Sequence, residues 1–396
     1  MLVSAHKKLV LSLGLLAVAV LTAMSARTAV AGPALLFDPE TGAVLYAEDQ
    51  DDLWHPASLT KLMTAYLTFE ALKEGKITLD TKLTVSELAN SQPPSKIGLP
   101  VGAQMDVELA LQSLVIKSAN DVAVMLAEGV GGTHEAFIER MNATAKKLGM
   151  TRTVFVNPNG LPAPEQVTTA RDLAKLTRAV LAQYPQYAPL WGMGDMRVGR
   201  MHIRTHNALL KVYDGADGMK TGFTCDSGYN VVATATREGH KLAAIVLGEP
   251  SGQARSLRTA NLLEHGFQYN AWQTALQPVT LDTLELLPDS KSVVTSVRNT
   301  VATSGCGGHR VRPVNVAAKS RQKRLATAKQ KAPSTGGTTA VIPETTPATP
   351  AAANAAPIIK AAPKVGAVPA ADKAVDKAAA KAVAKAAAKS ATKSAE

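Results

Sequence analysis

Three short polar motifs stand in one order along the chain: Ser58-Leu59-Thr60-Lys61, Ser118-Ala119-Asn120 and Lys220-Thr221-Gly222. A serine hydroxyl with a lysine amine three residues on is a pair suited to nucleophilic catalysis, because a neutral lysine can take the serine proton. Singly, each motif is weak. Ser-x-x-Lys or Ser-x-Asn arises roughly once by chance in a chain of this length, and Lys-Thr-Gly on the order of once in ten chains. The ordered set is far more specific than its members.

Each residue has a chemical task in that set. Ser58 is expected at the start of a helix, where free backbone N–H groups and the positive helix end surround its hydroxyl. Lys61 falls on the same face, within side-chain reach. It is a base only when neutral, and burial or a second cation, for which Lys220 is the candidate, lowers its pKa. Alone, Ser58 and Lys61 read as an N-cap serine and a surface lysine, and Ser118 and Asn120 as an ordinary helix cap. Within the set, Ser118 relays a proton towards a leaving group and the Asn120 amide holds substrate backbone. Lys220-Thr221-Gly222 is expected to open an exposed strand lining the site. There Lys220 and Thr221 bind a carboxylate, and Gly222 lets a substrate backbone lie close. The N–H groups of Ser58 and Phe223 then form an oxyanion hole.

The elements that must position these groups follow from pattern. Leu35 to Phe37 and Val44 to Tyr46, joined by Asp38-Pro39-Glu40-Thr41-Gly42, predict a β-hairpin. Leu62, Tyr66, Phe69 and Leu72 recur at helical spacing ahead of Gly75. Helical stretches are predicted over 107–116, broken at 117–120 and resumed over 121–128, then over 134–148, and over 170–181 with Thr169 as N-cap. Strand-like stretches at 201–204, 229–236 and 242–247 follow, the last two joined as a hairpin through Arg237-Glu238-Gly239-His240. A final helix is expected over 255–272. This order predicts an α+β fold: an antiparallel sheet flanked by helices, with an inserted all-α lobe.

Residues 1–31 read as a secretion signal, with His6, Lys7 and Lys8 before an apolar run and Ala29-Val30-Ala31 before a cleavage point at Gly32. The expected divisions are a signal peptide (1–31), a catalytic domain (32–275), a short C-terminal extension (276–315) and a basic low-complexity tail (316–396). That tail holds 14 Lys and Arg against 4 Asp and Glu, almost the whole net charge of +11, so the high pI says nothing about the catalytic body's substrate. Lysines recur every four residues from Lys373 to Lys393 among alanines. A solvated tail and a polycationic tether to an anionic membrane surface both suit this pattern, while an exported protein has no access to nucleic acid. Cys225 and Cys306 are either bridged in an oxidising compartment or two separate thiols. No metal or cofactor is expected: His202 and His206 have helical-ligand spacing, but their surroundings read as strand.

With those residues in place, the chain resembles the low-molecular-mass penicillin-binding proteins, serine D-alanyl-D-alanine carboxypeptidases. The three motifs together mark that group and the class A β-lactamases. The contexts Pro56-Ala57-Ser58-Leu59-Thr60-Lys61-Leu62-Met63-Thr64, Lys117-Ser118-Ala119-Asn120-Asp121 and Gly218-Met219-Lys220-Thr221-Gly222-Phe223-Thr224 carry the likeness, with Asn157-Pro158-Asn159-Gly160-Leu161, Thr169-Ala170-Arg171-Asp172 and Ser227-Gly228-Tyr229-Asn230. The resemblance implies removal of the terminal D-alanine from peptidoglycan stem pentapeptides through a Ser58 acyl-enzyme, and acylation of Ser58 by β-lactams. It also implies that Arg255, with Arg258 close by, binds the terminal carboxylate, and that the enzyme works in the periplasm or cell envelope. A D-Ala endopeptidase, a class A-like β-lactamase and a non-catalytic envelope-binding protein are the other readings. For the β-lactamase, Glu165 stands in the right region but lacks the expected Glu-x-x-Leu-Asn setting. Two features depart from the family: 273–315 is too short for an ordinary second β-domain, and the tail lacks the apolar face of an amphipathic anchor.

Overall fold

The computed structural model describes residues 32–273, 279–301 and Cys306. The expected secretion signal and basic tail lie outside the described residues. β1 (Ala34–Phe37) and β2 (Val44–Glu48) form the expected hairpin. Its turn is built by the Asp38 carboxylate, which accepts from the N–H groups of Glu40 and Thr41.

A 3-10 turn (Ala57–Thr60) runs straight into α1 (Lys61–Lys73). The chain then leaves the sheet to build a lobe: β3 (Lys82–Thr84), α2 (Glu87–Ser91), β4 (Gln104–Asp106), α3 (Val107–Gln112), α4 (Asn120–Gly131) and α5 (His134–Lys147). α6 (Ala170–Gln183) returns towards the sheet. Asp106, Thr133 and Thr169 each cap a helix by accepting from the N–H three residues on. The lobe is not purely helical, because β3 and β4 pair as a short ribbon. The predicted helix over 107–116 also changes character: 113–117 winds as a π-helix, Ser118 is left-handed (φ 59°, ψ 38°), and α4 starts at Asn120. Such widened turns commonly mark functional sites, since they turn side chains out of the helical register.

After α7 (Ala188–Trp191) come a ribbon of β5 (Asp195–Val198) with β6 (Met201–Arg204), a short α8 (Leu209–Val212), three long strands β7 (Ala216–Thr224), β8 (Gly228–Arg237) and β9 (His240–Glu249), and α9 (Gly252–Gln273). The main sheet is antiparallel in the order β2-β1-β9-β8-β7. Leu242 to Leu247 are all fully buried. A strand covered on both faces loses polar alternation, which explains this unbroken apolar run. On one face Ala260, Leu262 and Leu263 of α9 meet Ala34, Leu36, Val231 and Val246. On the other, Leu35, Phe37, Val232 and Ile245 share a core with Leu62 and Phe69 of α1 and Leu173 and Leu176 of α6.

The third motif also sits differently in its strand, and the C-terminal extension takes a definite path. Lys220-Thr221-Gly222 does not open its strand: β7 starts at Ala216, and Lys220 and Thr221 are 2% and 7% exposed. The turn-forming look of Ala216-Asp217-Gly218 hid a strand start that the pairing with β8 stabilises. Residues 279–301 form a strap over the body, built of turns and bends. It is bonded to the β1–β2 turn (Val44 N–H to Val279 O, Leu281 N–H to Gly42 O), and a disulfide joins Cys225 to Cys306. Among the described residues no helix is long and apolar enough to cross a membrane.

Candidate active site

The site is assembled where the 3-10 turn carrying Ser58 meets edge strand β7 and the break between α3 and α4. Ala57 has φ 49°, a conformation a non-glycine residue adopts only when its surroundings impose it. Asn230, fully buried on β8, imposes part of it: its amide donates to the carbonyls of His55 and Pro56, and its oxygen accepts from Gly248 N–H. Two glycines permit the packing. A Cβ at Gly160 would lie 1.9 Å from the Ala57 carbonyl oxygen, and one at Gly222 would lie 3.0 Å from Pro56 O and 3.1 Å from Ser58 N. The Gly160 backbone lies too close to the turn for a side chain, and at Gly222 a Cβ would fit only if the turn gave by a few tenths of an ångström.

Lys61, 1% exposed, donates from Nζ to Ser58 Oγ (3.0 Å), Asn120 Oδ1 (2.8 Å) and the Asn159 carbonyl (2.5 Å). Burial holds its pKa well below the ordinary lysine value, and the positive charge of Lys220 lowers it further. Lys220 donates to Ser118 Oγ at 2.8 Å and to its neighbour's carbonyl, Thr221 O, at 2.9 Å. Its own pKa is lowered to about 7 by burial and then by Arg255. Ser58, Lys61 and Asn120 thus form one hydrogen-bonded group and Ser118 with Lys220 a second, joined through the Ser118-Ala119-Asn120 backbone.

Ser58, Ser118, Asn120, Thr221, Gly222 and Phe223 all line one cleft of about 880 Å³, which Arg255 also reaches. The Thr221 carbonyl points to Lys220 Nζ, off the ladder. Backbone groups two residues apart on a strand face the same way, so the Phe223 N–H is turned to that open edge. Arg255 is 6% exposed, held loosely at 3.4 Å to the carbonyls of Asn230 and His206, and its buried Nε has no hydrogen-bond partner among the described residues. Burial lowers its pKa to about 10. Arg258 is committed elsewhere, to Glu48, Glu249 and the Gly32 carbonyl. Of the two arginines, Arg255 is the one at the cleft.

Glu165 is exposed and stands outside this cleft. His202 lies on β6 near Asp195, and His206 follows that strand and lines the cleft. Sequence reasoning missed Asn159, Asn230 and Gln166 as site-building residues. Asn157 to Pro162 read as turn formers, yet their carbonyls hold Lys61 and Thr64, and the Gln166 amide oxygen fixes the loop by accepting from the N–H groups of Val156 and Asn157. Backbone acceptors leave no residue-type signal.

Residues 20–251 match the family model described as D-alanyl-D-alanine carboxypeptidase. A D-alanyl-D-alanine carboxypeptidase of Escherichia coli (strain K12) is 36% identical over 270 residues, covering 65% of this chain and 68% of the relative. One from Bacillus subtilis (strain 168) is 34% identical, covering 59% and 61%. Among solved structures, penicillin binding protein 5 from Haemophilus influenzae superposes with a TM-score of 0.58 at 34% identity, over 60% of this chain and 71% of that one. Penicillin-Binding Protein D2 from Listeria monocytogenes, in its cefotaxime-bound form, does so at 0.55 and 32% identity, over 60% and 97%. The fold is that of the penicillin-binding serine peptidases. The chain belongs to the D-alanyl-D-alanine carboxypeptidase family. It spans between 61% and 68% of the length of the curated relatives named here.

Proposed function

We propose that the protein is a serine D-Ala-D-Ala carboxypeptidase that removes the terminal D-alanine of peptidoglycan stem pentapeptides and is acylated by β-lactams. The observation that carries this reading is the contact of a fully buried lysine, Lys61, with the Ser58 hydroxyl at 3.0 Å.

In the proposed reaction, neutral Lys61 takes the Ser58 proton as Oγ attacks the carbonyl of the penultimate D-alanine. The oxyanion sits between the N–H groups of Ser58 and Phe223. Asn120 holds the substrate backbone, while Thr221, Lys220 and Arg255 hold the terminal carboxylate, a fit supported by three polar groups with no carboxylate bonded to them among the described residues. Ser118, bonded to Lys220, gives its proton to the leaving nitrogen and takes in exchange the proton held by Lys61, so the C–N bond breaks, D-alanine departs and Lys61 is neutral again. Water then hydrolyses the ester, with Lys61 again as base. A β-lactamase reading loses support because Glu165 lies away from the cleft, so the penicilloyl ester is expected to turn over slowly.

The proposed setting is the cell envelope. An exported enzyme would meet the wall, and the disulfide suits an oxidising compartment. Residues 316–396 are proposed to tether it to anionic lipid headgroups, to be tested by vesicle sedimentation with and without the tail. The activity test is D-alanine release from a pentapeptide ending in D-Ala-D-Ala, compared with Ser58→Ala. Release that persists in the variant removes the serine mechanism.

A further inference from the structure

We propose that the strap 279–301, with Cys306, is a positioning element of the catalytic cleft: it holds the turn after Lys220-Thr221-Gly222 so that Phe223 N–H and Ser58 N–H stay aimed at one oxyanion. The inference rests on the function proposed above.

The turn between β7 and β8 is where the cleft has least support of its own. Among the described residues β7 is an edge strand, paired only with β8, so no described ladder fixes its outer side. Phe223 and Thr224 line the cleft, and Thr224 and Asp226 line an adjoining hollow of about 230 Å³. The strap fastens this turn at successive positions. Cys225 is bonded to Cys306. The Asp226 carboxylate accepts from Arg298 Nε (3.0 Å) and Nη2 (2.7 Å) and from Ser296 Oγ (2.8 Å), and its carbonyl accepts from Val297 N–H (3.0 Å). Val297, 5% exposed, packs against Gly228.

The other end of the strap is anchored to the rigid body. Arg171, paired in bidentate fashion with Asp51, donates to the carbonyls of Leu284 and Glu285, and Asp51 accepts from Leu287 N–H. Asp52 accepts from Lys291 N–H. The strap therefore carries the rigidity of the Asp51–Arg171 pair to the Cys225 turn. The Asp226–Arg298 pair is partly exposed and weak by itself, so the covalent link is the main restraint.

The test uses the purified full chain, oxidised and after treatment with a dithiol. The dithiol is oxidised to its cyclic disulfide while the Cys225–Cys306 bond takes up two electrons and two protons to leave two thiols, counted by thiol titration. Acylation by a fluorescent penicillin gives a rate constant and a pre-covalent affinity, with circular dichroism reporting the fold. The expected result is acylation slowed about tenfold, less than the ~10²–10³ lost when an oxyanion donor is removed outright, with affinity little changed and the rate restored on reoxidation. In the reduced protein, Arg298→Ala slows acylation further and Arg298→Lys does so less. Equal rates in the oxidised and reduced forms, or a change confined to affinity, overturn the strap's role. No acylation in any form, the oxidised one included, overturns the proposed function instead.

Discussion

Lys220 Nζ donates to Ser118 Oγ at 2.8 Å, joining groups 102 positions apart in the chain. That contact brings the second and third motifs together, as the contact of Lys61 with Asn120 brings together the first and second. Both lysines are buried, and the charge of Lys220 makes Lys61 harder to protonate, as the charge of Arg255 does Lys220.

This arrangement predicts a bell-shaped pH dependence of kcat/KM. Lys61 must lose its proton to act, so acylation rises with pH as it deprotonates, well below the ordinary lysine range. Lys220 must keep its proton to attract a carboxylate, so binding weakens as pH rises past about 7. Rates measured from about pH 5 to about pH 10 check this, and a profile still climbing at the alkaline end counts against the assignment.

Lys61→Met is expected to lower acylation by ~10²–10⁴ while leaving the fold intact. The residue is buried with no carboxylate of the described residues bonded to its amine, and a side chain of similar volume without charge removes a desolvation cost. Penicillin labelling and thermal unfolding on the same sample separate the two effects. Labelling at the parental rate would remove Lys61 from the mechanism.

Gly160→Ala should damage both stability and rate. The residue has φ +84°, and the added carbon would overlap the Ala57 carbonyl. Strain of ~1–3 kcal/mol is expected, read as a Tm lower by about 2–10 °C. Acylation should slow as well, because the neighbouring Asn159 carbonyl orients Lys61. An unchanged rate would show that Lys61 is placed without that loop.

Arg255→Ala and Arg258→Ala should differ in kind. Losing Arg255 is expected to raise KM for the pentapeptide roughly tenfold or more, the weight of a charged hydrogen bond to a carboxylate. Losing Arg258 unpairs Glu48 and Glu249 and should lower Tm with little change in KM. The reverse pattern would transfer the carboxylate role to Arg258.

Much of this protein is legible in its sequence. Residue type carries chemistry and periodicity carries secondary structure, so Ser58, Lys61, Ser118, Asn120 and Lys220, the β1–β2 hairpin, α1 with its following Gly75, Thr169 as a cap and the β8–β9 hairpin were all readable from local pattern. Only tertiary structure decided the rest, because those features depend on partners distant in sequence. Burial of Lys61 and Lys220 follows from the meeting of β7, α1 and the Ser118 break. The Asn230 amide holds the nucleophile turn through the His55 carbonyl, and the Asn159 carbonyl holds Lys61; each contact has a backbone carbonyl as acceptor, a group that any residue carries. The resemblance points to Arg255, but the reason that Arg258 stays out of the cleft, its pairing with Glu48 and Glu249, lies only in the tertiary structure. The strap has too little apolar periodicity to announce itself, and it is ordered by Arg171, Asp51, Asp226 and Cys225, none of them near it in the chain.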